Sequence, residues 1–206
     1  MTIKYILAIY FCGKYLQKKE RVPLVWGMGF FFLGLSQVPF MAMRYFQDPT
    51  TNVAFALLAA FLAALSLALL YYGTSLLYFI KGSFMREKLS IISFVVMMAV
   101  ILAFLFTQSR EAILKSLFMV VSVVFIFPML FVVAVIFFMI WRRLEADDPR
   151  KTSVFLVGAA LLTYSLLSGT TSTYFGTPHD WIFIALTIFS FVVLLYGMIL
   201  GRATGH

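Results

Sequence analysis

Eight carboxylates, sixteen lysines and arginines and two histidines hold nearly all the acid–base capacity of this 206-residue chain. Glu20, Asp48, Glu87, Glu111, Glu145, Asp147, Asp148 and Asp180 all fall at the ends of long apolar runs or between them. A charge buried in hydrocarbon costs roughly 2.5–3.5 kcal/mol on insertion scales, and where one occurs it usually marks an ion or proton path. The middles of these runs hold none, which disfavours a carboxylate-based proton pump or a proton-coupled carrier. The last run has no lysine for a retinal Schiff base. His179 and His206 sit in a turn and at the last position, so they cannot hold haem between helices. No HExxH, GxSxG, phosphate loop or dinucleotide fingerprint is present. The lone Cys12 excludes an internal disulfide and a multi-cysteine metal site. No cofactor and no metal are expected.

Three groups of residues remain that have chemistry to offer. Glu145-Ala146-Asp147-Asp148-Pro149-Arg150 has the carboxylates for a divalent cation, as in enzymes acting on phospholipids or prenyl diphosphates. Such sites need a second acidic motif, and none faces this one, so a solvated turn is the plainer reading. A second, mixed set is Arg44, Asp48, Arg110, Glu111, Lys115, His179 and Asp180. If the runs are antiparallel helices, these residues share one membrane surface, where they would meet a small anionic ligand or form interfacial ion pairs and helix caps of little individual worth. The third group is the hydroxyl-rich run Thr163, Tyr164, Ser165, Ser168 and residues 169–174, with Gln37, Ser36, Thr74, Ser75 and Tyr78 as possible partners. Hydroxyls can satisfy their own helix carbonyls, bond between helices or line a wet cavity. The ligand candidates are therefore Gln37, Arg44, Asp48, Arg110, Lys115, Thr163, Tyr164, Ser168, His179 and Asp180, with structural bonding as the competing role for each.

The elements that must position these groups are apolar runs. Residues 24–43, 53–80, 89–107, 116–141, 153–175 and 181–200 contain no charged residue. A hydrocarbon core of about 30 Å needs roughly 20 apolar residues in a helix, so each run is a candidate transmembrane helix. The chain is 63% hydrophobic and 12% charged, against about 45–50% and 25% in soluble domains. The expected fold is all-α, a single helical membrane bundle over residues 1–206.

Residues 3–16 are apolar apart from Lys4 and Lys14. A tilted first span whose lysines snorkel to the two interfaces is favoured over an interfacial helix. A signal peptide fits less well, since no small-residue cleavage site follows. That makes seven helices, or six if this segment lies in the interface. The formal net charge of +8 does not point to nucleic acid, because the basic residues are split into short clusters in alternate connections. Lys14, Lys18, Lys19 and Arg21, then Lys81, Arg86 and Lys88, then Arg142, Arg143, Arg150 and Lys151, and last Arg202, gather on one side. Lys4, Arg44, Arg110 and Lys115 fall on the other. The positive-inside rule puts the richer side in the cytoplasm, with the amino terminus outside and the carboxyl terminus inside. The basic clusters would also touch anionic lipid heads. Trp26, Trp141 and Trp181 lie at expected span ends, where indoles favour the headgroup region.

Short connections make successive helices antiparallel neighbours. Asp48-Pro49-Thr50-Thr51-Asn52 is a turn with capping residues before the third helix, Thr152 or Ser153 can cap the sixth, and Asp180 is placed to cap the seventh. Pro39 and Pro128 fall inside helices and should kink them. Ala56, Ala60, Ala64 and Ala68 recur every four residues and mark the third helix as a packing centre, with Gly27 and Gly34 in the same role on the second.

Residues 13–21, GKYLQKKER, followed by Trp26-Gly27-Met28-Gly29-Phe30 and Leu33-Gly34-Leu35-Ser36, resemble the first cytoplasmic turn and second helix of prokaryotic seven-helix sensor modules found ahead of histidine kinase and cyclic-nucleotide signalling domains. That family has no fixed catalytic residues. Since no output domain follows the seventh run, the resemblance implies a stand-alone module that signals or assembles through a partner. The expected function is a non-enzymatic sensor-like or accessory subunit of a prokaryotic cell membrane, acting through a partner membrane protein or a homo-oligomer. A small transporter or channel for a neutral or weakly anionic solute is the alternative, and a membrane enzyme of lipid metabolism comes last.

Overall fold

The computed structural model describes residues 2–43, 45–46, 48–109, 113, 116–117, 119–174 and 180–203, with side chains described except at residues 49, 169–174, 180 and 201–203. The described secondary structure is helical throughout: α1 (Thr2–Lys18), α2 (Arg21–Leu35), α3 (Gln37–Ala42), α4 (Pro49–Tyr78), α5 (Phe84–Glu87), α6 (Leu89–Thr107), a π-helical turn (Val121–Ile126), α7 (Phe127–Arg143), α8 (Lys151–Tyr174) and α9 (Asp180–Ala203). Six stretches are long and apolar enough to cross a bilayer: Arg21–Ala42, Thr50–Tyr78, Leu89–Thr107, Val121–Arg143, Lys151–Ser168 and Trp181–Leu200. They match the six apolar runs of the sequence and fit an integral, multi-pass helical protein. The chain divides into two compact units, Met1–Phe125 and Ile126–His206.

In the first unit α1 and α2 form a hairpin closed by Lys19 and Glu20, with Lys19 in the left-handed region at φ 55°. Their packing is antiparallel. A Cβ on Gly27 would stand 3.3 Å from the Ala8 carbonyl oxygen, the Phe11 Cβ and the Cys12 Sγ, and one on Gly34 would stand 3.1 Å from the Tyr5 ring. Gly27 lets the two backbones approach closely as expected, whereas Gly34 makes room for the Tyr5 ring. α4, 30 residues long and so about 45 Å, packs against both α2 and α6. Ser66 Oγ donates to the Gly29 carbonyl at 2.8 Å, and Ser90 Oγ to the Ala68 carbonyl at 2.7 Å. Ala60, Ala63, Ala64 and Ala68 are buried along this helix, while Ala56 is half-buried. Lipid tails are as apolar as leucine, so this closeness stabilises through van der Waals contact and interhelical hydrogen bonds more than through hydrophobic transfer.

Both proline expectations take a more specific form. The second span does not merely bend at Pro39 but divides at Ser36, between α2 and α3. Proline has no N–H for the Leu35 carbonyl and its ring crowds that oxygen; Ser36 Oγ donates to the Leu33 carbonyl at 2.9 Å beside the break. Before Pro128 the helix widens into the π turn Val121–Ile126, which contains Val124, whose carbonyl Pro128 cannot serve.

In the second unit α8 packs against both α7 and α9. Ser165 Oγ donates to the Phe127 carbonyl at 2.8 Å, and Ser153 Oγ to the Gly197 carbonyl at 2.6 Å. A Cβ on Gly158 would come 3.2 Å from Phe137 Cβ, and one on Gly197 3.0 Å from Leu156 Cβ. Ser153 was a candidate cap for this helix. The helix instead starts at Lys151, and Ser153 lies within its first turn as a bridge to α9.

Candidate functional site

Asp48 stands just before α4, where the helix leaves four N–H groups without partners. Its carboxylate accepts from the Thr51 backbone N–H at 2.8 Å and from Thr51 Oγ1 at 2.6 Å. Asp48 is the member of the expected capping turn that forms the cap, and both bonds fall on one carboxylate oxygen. Gln37 is the first residue of α3 and half-buried. Arg44, Arg110, Lys115 and His179 lie outside the described residues, as does Glu111. Asp180 is the first residue of α9, and its side chain is outside the described set. The convergence of these residues on one ligand therefore stays a sequence expectation.

The hydroxyls of α8 divide by face. Thr163 is exposed and donates to the Ala159 carbonyl of its own helix at 2.9 Å. Tyr164 is buried with its ring 4.5 Å from that of Phe191, centroid to centroid. Ser165 is fully buried and crosses to α7, and Ser168 donates to the Ser165 carbonyl at 2.7 Å. Thr74 and Ser75 likewise donate to carbonyls of their own helix, and Ser36 to the Leu33 carbonyl at the end of α2. The hydroxyls of Ser36, Thr74, Ser75, Thr163, Ser165 and Ser168 thus all have protein acceptors.

The acidic turn is held by an ion pair. Asp148 takes the Arg150 side chain at two points, Nη2 to Oδ2 at 2.9 Å and Nε to Oδ1 at 3.2 Å, and the Arg150 backbone N–H to Oδ1 at 2.8 Å. The Arg150 hydrogen bonds, side chain first, hold the Asp148 carboxyl below its usual range. Among the described residues no group of three or more His, Cys, Asp or Glu side chains is placed to hold a metal ion.

The basic clusters of the turns also have local work. Arg86 Nη1 donates to the Phe79 carbonyl at 3.3 Å and Lys151 Nζ to the Leu144 carbonyl at 3.1 Å. Each meets the negative end of the preceding helix. In the first unit, the helix pairings bring the α1–α2 turn and the 79–88 turn to one end. In the second, the α7–α8 turn lies at the same end as the last turns of α9.

Two residues expected at the interfaces are interior instead. Lys4 is only 4% exposed. It shares a helical face with Leu7, Ala8 and Phe11, all buried, so the phase of α1 turns it inward rather than letting it snorkel. Trp26 is 2% exposed, with ring centroids of Phe11 and Phe30 at 5.5 and 5.7 Å. Its indole fills the space that Gly73 leaves on α4. Trp181 is 64% exposed, as an interfacial indole would be. Trp141 is half-buried, 5.5 Å from the Phe155 ring and 5.8 Å from Lys151 Nζ.

One feature had no charge or motif to announce it. An almost wholly carbon-lined groove of about 580 Å³ runs between α1 and α2, past Ala8, Cys12, Gly13, Leu16, Met28 and Phe31. Its only advance signal is the run of small side chains at Ala8, Cys12 and Gly13. No protein-family model, curated protein or solved structure matches this chain.

Proposed function

We propose that this chain is a seven-helix integral membrane protein that works without catalysis, as a sensor-like or accessory subunit of a partner membrane protein in a prokaryotic cell membrane. The seventh span is α1. Its 17 residues reach about 26 Å, close to the 30 Å core, and it lies antiparallel along α2. The basic helix ends face the cytoplasm, the amino terminus lies outside and the carboxyl terminus inside.

The observation that carries the functional reading is the use made of the α8 hydroxyls. A solute path would need Thr163, Ser165 and Ser168 to face water. Buried Ser165 and half-buried Ser168 instead donate to protein carbonyls, Thr163 lies on the outer surface bonded to its own helix, and the groove between α1 and α2 is apolar. That arrangement suits a packed module that passes on a shift between helices better than a conduit. The resemblance of residues 13–36 to sensor modules supports the same role.

The test is gentle-detergent purification of a tagged chain after mild cross-linking in its native membrane. A second membrane protein at fixed stoichiometry is the expected result. Recovery of this chain alone, with solute flux in proteoliposomes that Ser165→Ala abolishes, would replace the proposal with transport.

A further inference from the structure

We infer that the groove between α1 and α2 seats an acyl chain of an anionic phospholipid whose phosphate meets the basic turn at the groove's end. This rests on α1 lying in the membrane and not on the accessory role proposed above.

The walls decide what kind of molecule fits. Cys12, Gly13 and Leu16 on α1 face Met28 and Phe31 on α2 across an open furrow. Carbon lines it almost throughout, so a polar solute would gain few hydrogen bonds there for those it gives up in water. Gly13 opens onto the furrow: a Cβ there would meet nothing within 4 Å. At the floor Gly27 and Ala8 bring the two backbones together.

The charge lies at one end. Leu16 is followed within five residues by Lys18, Lys19 and Arg21, all exposed, and Glu20 is the one carboxylate among them. Lys19 Nζ stands 5.5 Å from the Tyr15 ring centroid. A neutral lipid would use the furrow and ignore the net positive turn. A soluble anion would use the turn and ignore the furrow. An amphiphile with a negative head uses both, since basic residues beside a membrane favour anionic lipid. A second copy in the same orientation would bring two of these basic turns together, so like charge opposes that occupant.

The test uses the full chain in detergent with equal amounts of phosphatidylglycerol and phosphatidylcholine of matched acyl chains, read by native mass spectrometry. A single phosphatidylglycerol should survive detergent removal, with about tenfold preference. Gly13→Phe should abolish its retention, and Lys18→Gln/Lys19→Gln/Arg21→Gln should abolish the preference while phosphatidylcholine binding persists. Equal retention of both lipids by the native chain overturns the inference. So does phosphatidylglycerol retention untouched by Gly13→Phe, or a dimer that this variant dissolves. Cys12 is the only cysteine, so a second readout needs no substitution: phosphatidylglycerol should slow its alkylation by N-ethylmaleimide and phosphatidylcholine should not. An unchanged rate with phosphatidylglycerol overturns the inference independently of how any variant folds.

Discussion

Gly73 and Gly13 are the same residue in opposite surroundings, and their alanine variants should behave oppositely. A methyl group at Gly73 runs into the indole of Trp26, whereas one at Gly13 meets nothing. Gly73→Ala should lower the unfolding free energy by about 1–3 kcal/mol through overpacking. Gly13→Ala should raise it by about 0.5–1 kcal/mol through reduced backbone freedom in a helix. Denaturant titration in mixed micelles would show both. Asp148 allows a pH prediction. Its carboxyl is held below the ordinary range by Arg150, so the pair's contribution is complete above the unfolded value of about 3.9. It is lost as the pH falls through the lowered folded value. The stability gap between the native chain and Asp148→Asn should therefore be constant near neutrality and close in acid; a gap that widens in acid would contradict the pairing. A cap at the start of α4 was legible because the turn Asp48-Pro49-Thr50-Thr51-Asn52 is built of capping and turn-forming residues. The burial of Lys4 and Trp26 was not, because residue type favours the interface for both; helix phase turns Lys4 inward and packing against α1 and α4 encloses Trp26.

At the scale of elements, the apolar runs located the helices to within a few residues, since a charge-free run of this length in a bilayer has no stable alternative to a helix. What the runs did not reveal was helix phase. α8 is apolar over most of its circumference and spreads its hydroxyls around it, so nothing in residues 163–168 separates the serine that crosses to α7 from the threonine that faces outward. The structure makes that distinction testable. Ser165→Ala should cost about 1 kcal/mol, the usual worth of an interhelical hydrogen bond in a membrane protein. Thr163→Ala should change stability little, because its bond is to its own helix. Equal effects in a detergent unfolding assay would refute the assignment. The same blindness to phase left the groove unread: Cys12 and Gly13 are ordinary small residues until α2 is placed beside them.

For the molecule as a whole, the proposed orientation predicts the accessibility of its turns. Gly82 sits in an exposed connection at φ 86°, a position that tolerates a short insert. An epitope placed there should be reached by antibody only after the membrane is permeabilised to expose its cytoplasmic face, and staining of intact cells would invert the whole arrangement. Part of the proposed ligand set, Arg44, Arg110, Lys115 and His179, owes its grouping to that same alternation of sides, so one experiment bears on both.

The first unit also joins helices of very unequal reach. α1 extends about 26 Å and α4 about 45 Å, and in the proposed seven-span arrangement both cross a hydrocarbon slab of about 30 Å. Such a body has an uneven rim: lipid beside α1 is drawn thin, while α4 must lean or push its ends into water. Acyl-chain length thereby becomes a mechanical load on the hairpin, and membranes of different thickness would hold the same sequence at different slants.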